Sequence, residues 1–236
     1  MPELIRPRIL VTGGAAGIGA AIVERARVDG YDPVVVDRAG DGIIADLSDP
    51  DSTAAALEQA LAGGPITRVV NNVGAVFPAS AGEQTLTELE AAFSLNLRTA
   101  MQVTQALLPG MRDAGFGRIV SISSRAALGK EMRSAYAATK AALIGLTRVW
   151  ALELGEFGIT ANALGPGPIA TDLFNKANPA GAPRTRAIIE GIPVKRMGSA
   201  ADVAHAASYL LDDRSGFVTG QTLYVCGGMT VGHSGV

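Results

Sequence analysis

The chain has one cysteine, two histidines and a formal net charge of −2, and each shortage removes a class of function. The single thiol, Cys226, excludes an intrachain disulfide framework and fits a reducing compartment; its place in an apolar stretch reads as core packing. His205 and His233 stand without metal-ligand spacing, so no metal site is indicated. Near-balanced charge with no basic block withholds the electrostatic footprint of a nucleic-acid binder. No uninterrupted apolar run approaches the ~18 residues of a spanning helix. The opening "MPELIRPRIL" is too short and too charged for a secretory signal. The expectation is a cytoplasmic protein with neither membrane nor nucleic acid among its partners.

Apolar residues, by contrast, are plentiful. They form 48% of 236 residues and are scattered, as a large core requires, and the length suits one α/β domain over 1–236. Short β-branched runs predict strands at 8–12, 32–37, 42–46, 67–72, 117–123, 158–164 and 221–226. Helical stretches lie between them, with recognisable boundaries. Pro50 suits a first helical turn, Gly30 stops the first helix, and Thr85 with Glu88 and Ser199 with Asp202 have capping-box spacing. Strands dense in Val and Ile, each followed by a helix, predict a doubly wound parallel sheet of about seven strands with helices on both faces. Gly and Pro cluster over about 168–198, which reads as a long surface excursion covering a substrate.

Directly after the first strand comes "TGGAAGIG", Thr12 to Gly19. Glycine there costs backbone entropy, so either the turn is merely flexible or its backbone must approach something closely. In doubly wound folds that something is a pyrophosphate, held by backbone N–H groups and a helix N-terminus. Gly13, Gly17 and Gly19 do not match G-x-G-x-x-G, but Asp37 closes the second strand 18 residues after Gly19, where an acid can bond an adenosine ribose. An acid at that position also repels a 2′-phosphate. Further along, "YAATK" puts Tyr136 and Lys140 on one helix face, and an ammonium beside a phenol favours the phenolate. "IVSISS" places hydroxyls at the C-terminal end of a strand, where open α/β sheets bind ligands. Ionisable phenol, hydroxyl donor and dinucleotide turn together describe carbonyl–alcohol redox chemistry.

These segments, with "NNVG" (71–74), "SLNL" (94–97) and "ALGPGPIAT" (163–171), resemble in their order the motifs of the short-chain dehydrogenase/reductase family, over nearly the whole chain. The resemblance implies a Rossmann-type fold and a homotetramer with the Tyr136 helix in an interface. It implies Tyr136 as acid/base, Lys140 as the ribose ligand that depresses the Tyr136 pKa, Asn96 as holder of a relay water, and Ser124 as donor to the substrate oxygen. Counting back from Tyr136 by the family's usual spacing lands on Ser123 instead, so Ser123 is the alternative. The cofactor set implied is Gly13, Gly17, Ile18, Gly19, Asp37, Asp46, Leu47, Asn72, Gly74, Tyr136, Lys140, Pro166, Gly167, Ile169 and Thr171. Asp37, with Ala16 where NADP-binding members often carry a basic residue, indicates NAD over NADP; Arg38 is a contrary charge that could meet a phosphate. "DRAGDGIIAD" (37–46) departs from the family by leaving no room for a helix between the second and third strands.

The expected activity is hydride transfer between NAD(H) and a secondary alcohol or ketone. An anionic group on that substrate is a further expectation, from Arg125, Lys130 and Arg133 after Ser124 and Lys176, Arg184, Arg186, Lys195 and Arg196 in the excursion. Solubilising surface charge is the competing account. Met132 and Phe174 offer an apolar wall. Leu143, Leu146 and Trp150 recur at helical spacing, as core or as a partner face. The alternatives are an NADP-dependent 3-oxoacyl thioester reductase and a non-catalytic dinucleotide sensor.

Overall fold

The computed structural model describes residues 6–232; His233 and the first five residues lie outside them. Seven strands form one sheet: β1 (Arg8–Thr12), β2 (Asp32–Asp37), β3 (Ile43–Ile44), β4 (Arg68–Asn71), β5 (Gly117–Ile122), β6 (Ile159–Pro166) and β7 (Thr222–Val225). Their order is β3-β2-β1-β4-β5-β6-β7, and every neighbouring pair is parallel. The chain winds outward from β1 to β3, then crosses back to β4. The carboxyl ends of β1 and β4 therefore border the topological switch point, where such sheets open a crevice.

The helices are α1 (Gly17–Val28), α2 (Pro50–Ala62), α3 (Leu86–Phe93), α4 (Thr99–Asp113), α5 (Ser134–Leu154), α6 (Asp172–Ala177), α7 (Pro183–Glu190) and α8 (Ala200–Leu211). Pleat alternation sorts the strand residues between two cores. Ile9, Val11, Val70 and Val120 pack with Ile22 and Val23 of α1 and Val203 and Leu210 of α8. Leu10, Val69 and Ile119 pack on the other face with Leu57 of α2, Leu107 and Met111 of α4 and Trp150 of α5. Both faces are buried, which is why the strands are continuously apolar.

The helix starts follow the sequence signals. Both capping boxes, Thr85–Glu88 and Ser199–Asp202, are complete, and Asp49 caps α2 with Pro50 in its first turn. Residues 38–42 join β2 to β3 without a helix. Two expectations need correction. The strand expected at 42–46 shrinks to Ile43–Ile44 at the sheet edge, whereas β6 runs on to Pro166. The excursion over 168–198 is not plain loop but holds α6 and α7. Its Gly and Pro residues punctuate two short helices: Thr171 caps α6 through the Phe174 N–H, and Pro183 occupies the first turn of α7. Leu143 and Trp150 belong to the core, and the exposed large apolar residues of α5 are Val149 and Leu152. No helix among the described residues is long and apolar enough to cross a membrane.

Candidate active site

The glycine turn leads from β1 into α1 at the switch point. Gly13 (φ +67°) and Gly17 (φ +57°) adopt left-handed backbone that side chains disfavour. A Cβ on Gly19 would fall 2.0 Å from the Gly13 carbonyl oxygen, so the turn closes only on glycine. The N-cap of α1 is Ala16, with no side-chain cap and no acid in the first turn. The amides at Gly17, Ile18 and Gly19 thus form an uncapped, electropositive helix start suited to a phosphate. Thr12 and Asn72 fasten this turn to β4. Thr12 Oγ1 accepts from the Asn72 and Val73 N–H groups (3.0 and 3.1 Å), and Asn72 Nδ2 donates to the Thr12 and Gly13 carbonyls (both 2.9 Å). Through these bonds Asn72, one of the expected cofactor residues, shapes the turn.

Asp37 ends β2 against the same turn. Its carboxylate accepts from the Ala15 N–H (2.9 Å) and the Arg38 N–H (2.7 Å), which fixes a negative charge beside the glycines. Asp46 is exposed, and the Ser48 N–H and hydroxyl donate to its Oδ1 (2.9 and 2.6 Å), holding its carboxyl below the usual range. The side chains of Leu47 and Ile169 are both buried in the core. Only their backbones can face a ligand. Gly167 lies against Cys226, with space for no Cβ, and its N–H donates to the Val225 carbonyl (2.9 Å) after Pro166 has closed β6. Thr171 sits against Gly17, so the excursion begins beside the glycine turn.

The catalytic candidates gather at the carboxyl ends of β4 and β5. Asn96 lies in a π-helical turn, Ser94–Arg98, between α3 and α4. Its Oδ1 accepts from the Ala75 N–H (2.8 Å), and its Nδ2 donates to the Ala75 carbonyl and to Thr139 Oγ1 (both 3.0 Å). Thr139 in turn donates to the Tyr136 carbonyl (2.9 Å). Lys140 Nζ donates to the Ile122 carbonyl (2.7 Å), and a Cβ on Gly74 would lie 3.2 Å from that nitrogen and 3.1 Å from Asn96 Oδ1. Glycine at 74 keeps that space clear. The two serines take different tasks. Ser123 is buried and donates to the Lys140 carbonyl (2.7 Å), whereas the Ser124 hydroxyl lies beside the Tyr136 phenol.

Burial dominates the electrostatics of the ligand-free site. Burial pushes the Tyr136 phenol above its ordinary range, and the Ser124 hydroxyl and Arg133 charge pull it down by less. The Lys140 ammonium is fully buried and its pKa is pushed down to about 8 by lost hydration, so it remains charged at neutral pH beside the phenol. Desolvation opposes the charged form of both groups. Around the mouth, Lys130 is held below its usual range by lost hydration and then by Arg133, Arg125 and Arg184. A cavity of roughly 170 Å³ is lined by Pro168, Ile192, Arg196 and Tyr224, and none of the catalytic side chains lines it.

Comparison with known proteins agrees with this geometry. Residues 13–230 match the family model described as enoyl-(acyl carrier protein) reductase. The 3-oxoacyl-(acyl carrier protein) reductase MabA of Mycobacterium avium is 34% identical over 98% of this chain and 93% of its own length. The chain belongs to the short-chain dehydrogenase/reductase family. Bovine L-xylulose reductase is 35% identical, covering 94% of this chain and 95% of its own. A solved structure from Beutenbergia cavernae, assigned by its description to NAD(P)-dependent gluconate 5-dehydrogenases and holding NADP at low occupancy, superposes with a TM-score of 0.91 at 30% identity, covering 98% and 99% of the two chains. As a member of this family the protein is a Rossmann-fold oxidoreductase with a nucleotide cofactor.

Within this dehydrogenase/reductase site, sequence reasoning missed Thr139, Thr12 and the π-turn. Thr139 stands inside "YAATK" and is fully buried, and it links Asn96 to the Tyr136 backbone. A β-branched polar residue between the two motif positions was a signal, though one shared with ordinary core threonines. Asn96 in a helix interior signalled a kink, and the π-turn is that kink.

Proposed function

We propose that this chain is an NAD-dependent dehydrogenase/reductase acting on a secondary alcohol or its ketone, with one domain carrying both cofactor and catalytic sites. The observation that carries the reading is the convergence of Ser124, Tyr136, Lys140 and Asn96 at the strand ends, beside an uncapped helix start lined with glycines. The residues fit a dinucleotide: Gly17, Ile18 and Gly19 would hold its pyrophosphate, Asp37 its adenosine ribose and Lys140 its nicotinamide ribose. The remaining cofactor contacts are Gly13, Asp46, Leu47, Asn72, Gly74, Pro166, Gly167, Ile169 and Thr171. When bound, the nicotinamide supplies or accepts the hydride. Tyr136 takes the hydroxyl proton of the alcohol, or returns it to the carbonyl oxygen, and Ser124 donates a hydrogen bond to that oxygen. Asn96 orders the Tyr136–Lys140 turn through Thr139 and holds the water that carries the proton outward.

NAD is favoured over NADP because Asp37 places its carboxylate on the turn, where a 2′-phosphate would be repelled. A sensor without catalysis would gain nothing from a fully buried Lys140, whose desolvation is costly. The substrate carries an anionic group, supported by Arg125, Lys130, Arg133 and Arg184, none of which is in an ion pair among the described residues. Arg196 and Lys195 drop out of that set, since Asp202 and the Glu190 carbonyl occupy them. A cytoplasmic homotetramer, with exposed Val149 and Leu152 of α5 in an interface, completes the proposal.

A second reading, an NADP-dependent 3-oxoacyl thioester reductase, draws support from the full-length likeness to MabA. The same cations would meet the phosphate of a thioester carrier. The deciding experiment offers a panel of secondary alcohols and hydroxy acids with NAD and with NADP, read by absorbance of the reduced nicotinamide, alongside a 3-oxoacyl thioester with NADPH. Turnover of the panel with NAD carries the first reading. Turnover of the thioester alone, with NADPH, replaces it by the second.

A further inference from the structure

The loop from Asp46 to Pro50 has no helix behind it on the β2–β3 side, and Asp46, Ser48, Asp49 and Pro50 are exposed. It is nevertheless gripped. Four side chains from the π-turn and the start of α4 donate to its carbonyls. Thr99 Oγ1 reaches the Leu47 carbonyl (2.6 Å), Ser94 Oγ the Ser48 carbonyl (2.9 Å), the Arg98 guanidinium the same Ser48 carbonyl, and Gln102 Nε2 the Pro50 carbonyl (2.8 Å). Leu47 is buried, so its carbonyl needs a partner from the protein. Ser48 is exposed, so water would serve its carbonyl, and Pro50 opens α2, where the helix itself bonds its carbonyl. Ordering an Arg and a Gln there costs side-chain entropy that carbonyl satisfaction alone does not require.

Ser48 is the joint. Its carbonyl is held by Ser94 and Arg98, while its N–H and hydroxyl both hold Asp46 Oδ1. The direction of the Asp46 carboxylate is thereby set from the π-turn, and its second oxygen is left to accept from a ligand. Arg98 fits a positioning task better than a stabilising one. It is in no ion pair among the described residues, and its Nε is buried with no partner. The π geometry makes the arrangement two-sided. The Thr99 N–H bonds back to the Ser94 carbonyl, and Asn96, within the same turn, is tied to Ala75 and Thr139. Inserted residues of this kind recur at functional sites.

We infer that Ser94 and Arg98 are positioning residues for the adenine half of the dinucleotide, aiming Asp46 through Ser48 at an exocyclic amine. The inference rests on the cofactor reading given under Proposed function. One π-turn then anchors both ends of the site: the adenine-side loop through Ser94 and Arg98, and the catalytic helix through Asn96.

The test measures NADH binding by fluorescence for wild type, Ser94→Ala, Arg98→Gln and Ser94→Thr, with displacement by AMP and by nicotinamide mononucleotide, and thermal melting in parallel. Losing one or two such bonds weakens AMP and NADH by about 5- to 10-fold in the first two variants. Nicotinamide mononucleotide stays within about twofold, and Ser94→Thr, which keeps the hydroxyl, recovers AMP affinity. Ser94→Ala removes one hydroxyl at a half-buried position and keeps the test open should Arg98→Gln fold poorly. Unchanged AMP affinity in both variants overturns the inference while leaving the cofactor reading intact. Equal weakening of both fragments with a lower melting temperature overturns it as well, because that is general loosening. If wild type binds neither NADH nor NADPH, the cofactor reading falls and takes this inference with it.

Discussion

Lys140 Nζ lies 5.6 Å from the centre of the Tyr136 ring, and its hydrogen bond goes to the Ile122 carbonyl and not to the phenol. The two residues share a helix face but meet through the field between them. Lys140 is buried and Tyr136 half-buried, and burial disfavours the charged form of each. Tyr136 accordingly starts as a proton donor and can become a base only in a site that adds positive charge or a proton acceptor.

Replacing Tyr136 with Phe removes the exchangeable proton and little volume. Turnover should fall by about a hundred- to ten-thousand-fold, the usual contribution of a positioned acid/base group. NADH binding, followed by fluorescence, should persist. A variant that turns over close to wild type would remove Tyr136 from the mechanism.

Lys140 makes a prediction about stability. Its folded pKa of about 8 lies below the ordinary lysine value, so from pH 8 upward the folded chain sheds a proton that the unfolded chain retains until about 10.4. Stability contributed by this group therefore rises across that window, by on the order of 3 kcal/mol, and below pH 8 the burial penalty is felt in full. Lys140→Met should flatten the rise in a series of urea melts between pH 7.5 and 10.5. Parallel curves for both proteins would place the lysine in water.

The site's chemistry was readable where it is local and hidden where it is tertiary. Tyr136 and Lys140 announce themselves by spacing, and Asp37 by its place at a strand end. The sign of the Tyr136 shift could not be read, because it depends on how completely α5 and β5 exclude water. The Ser48 joint was equally invisible, since Ser94 and Arg98 lie 46 and 50 residues away and meet it only once α4 packs on the sheet. Helices α6 and α7 were missed for another reason: Gly181 and Pro183 look like loop residues until Thr171 and Ala182 are recognised as helix caps.

Asp37→Ala tests the nucleotide preference. The carboxylate stands on the turn through the Ala15 N–H, so its removal takes away both a ribose acceptor and a negative charge facing any 2′-phosphate. The ratio of kcat/KM for NAD to that for NADP should fall by about tenfold, as expected for one partly screened like-charge contact. NAD affinity should drop too, because the turn loses an anchor. A ratio that does not move would contradict the assignment to NAD.

The cations at the mouth yield a test of substrate charge. Arg184 projects from α7, is exposed, and adds its field to the cluster around Lys130, so it can be changed without touching the catalytic side chains. If Arg125, Lys130, Arg133 and Arg184 together receive an anion, a carboxylated ketone should be turned over with a lower KM than its neutral ester. Arg184→Ser should then raise KM for the acid by about three- to fivefold and leave the ester unaffected, the size of one exposed charge contact. Raising the salt concentration should shrink the difference between acid and ester, since exposed charges are screened within about 10 Å at 0.1 M. Should wild type prefer the ester, these four residues are a solvated surface and the anionic substrate is ruled out.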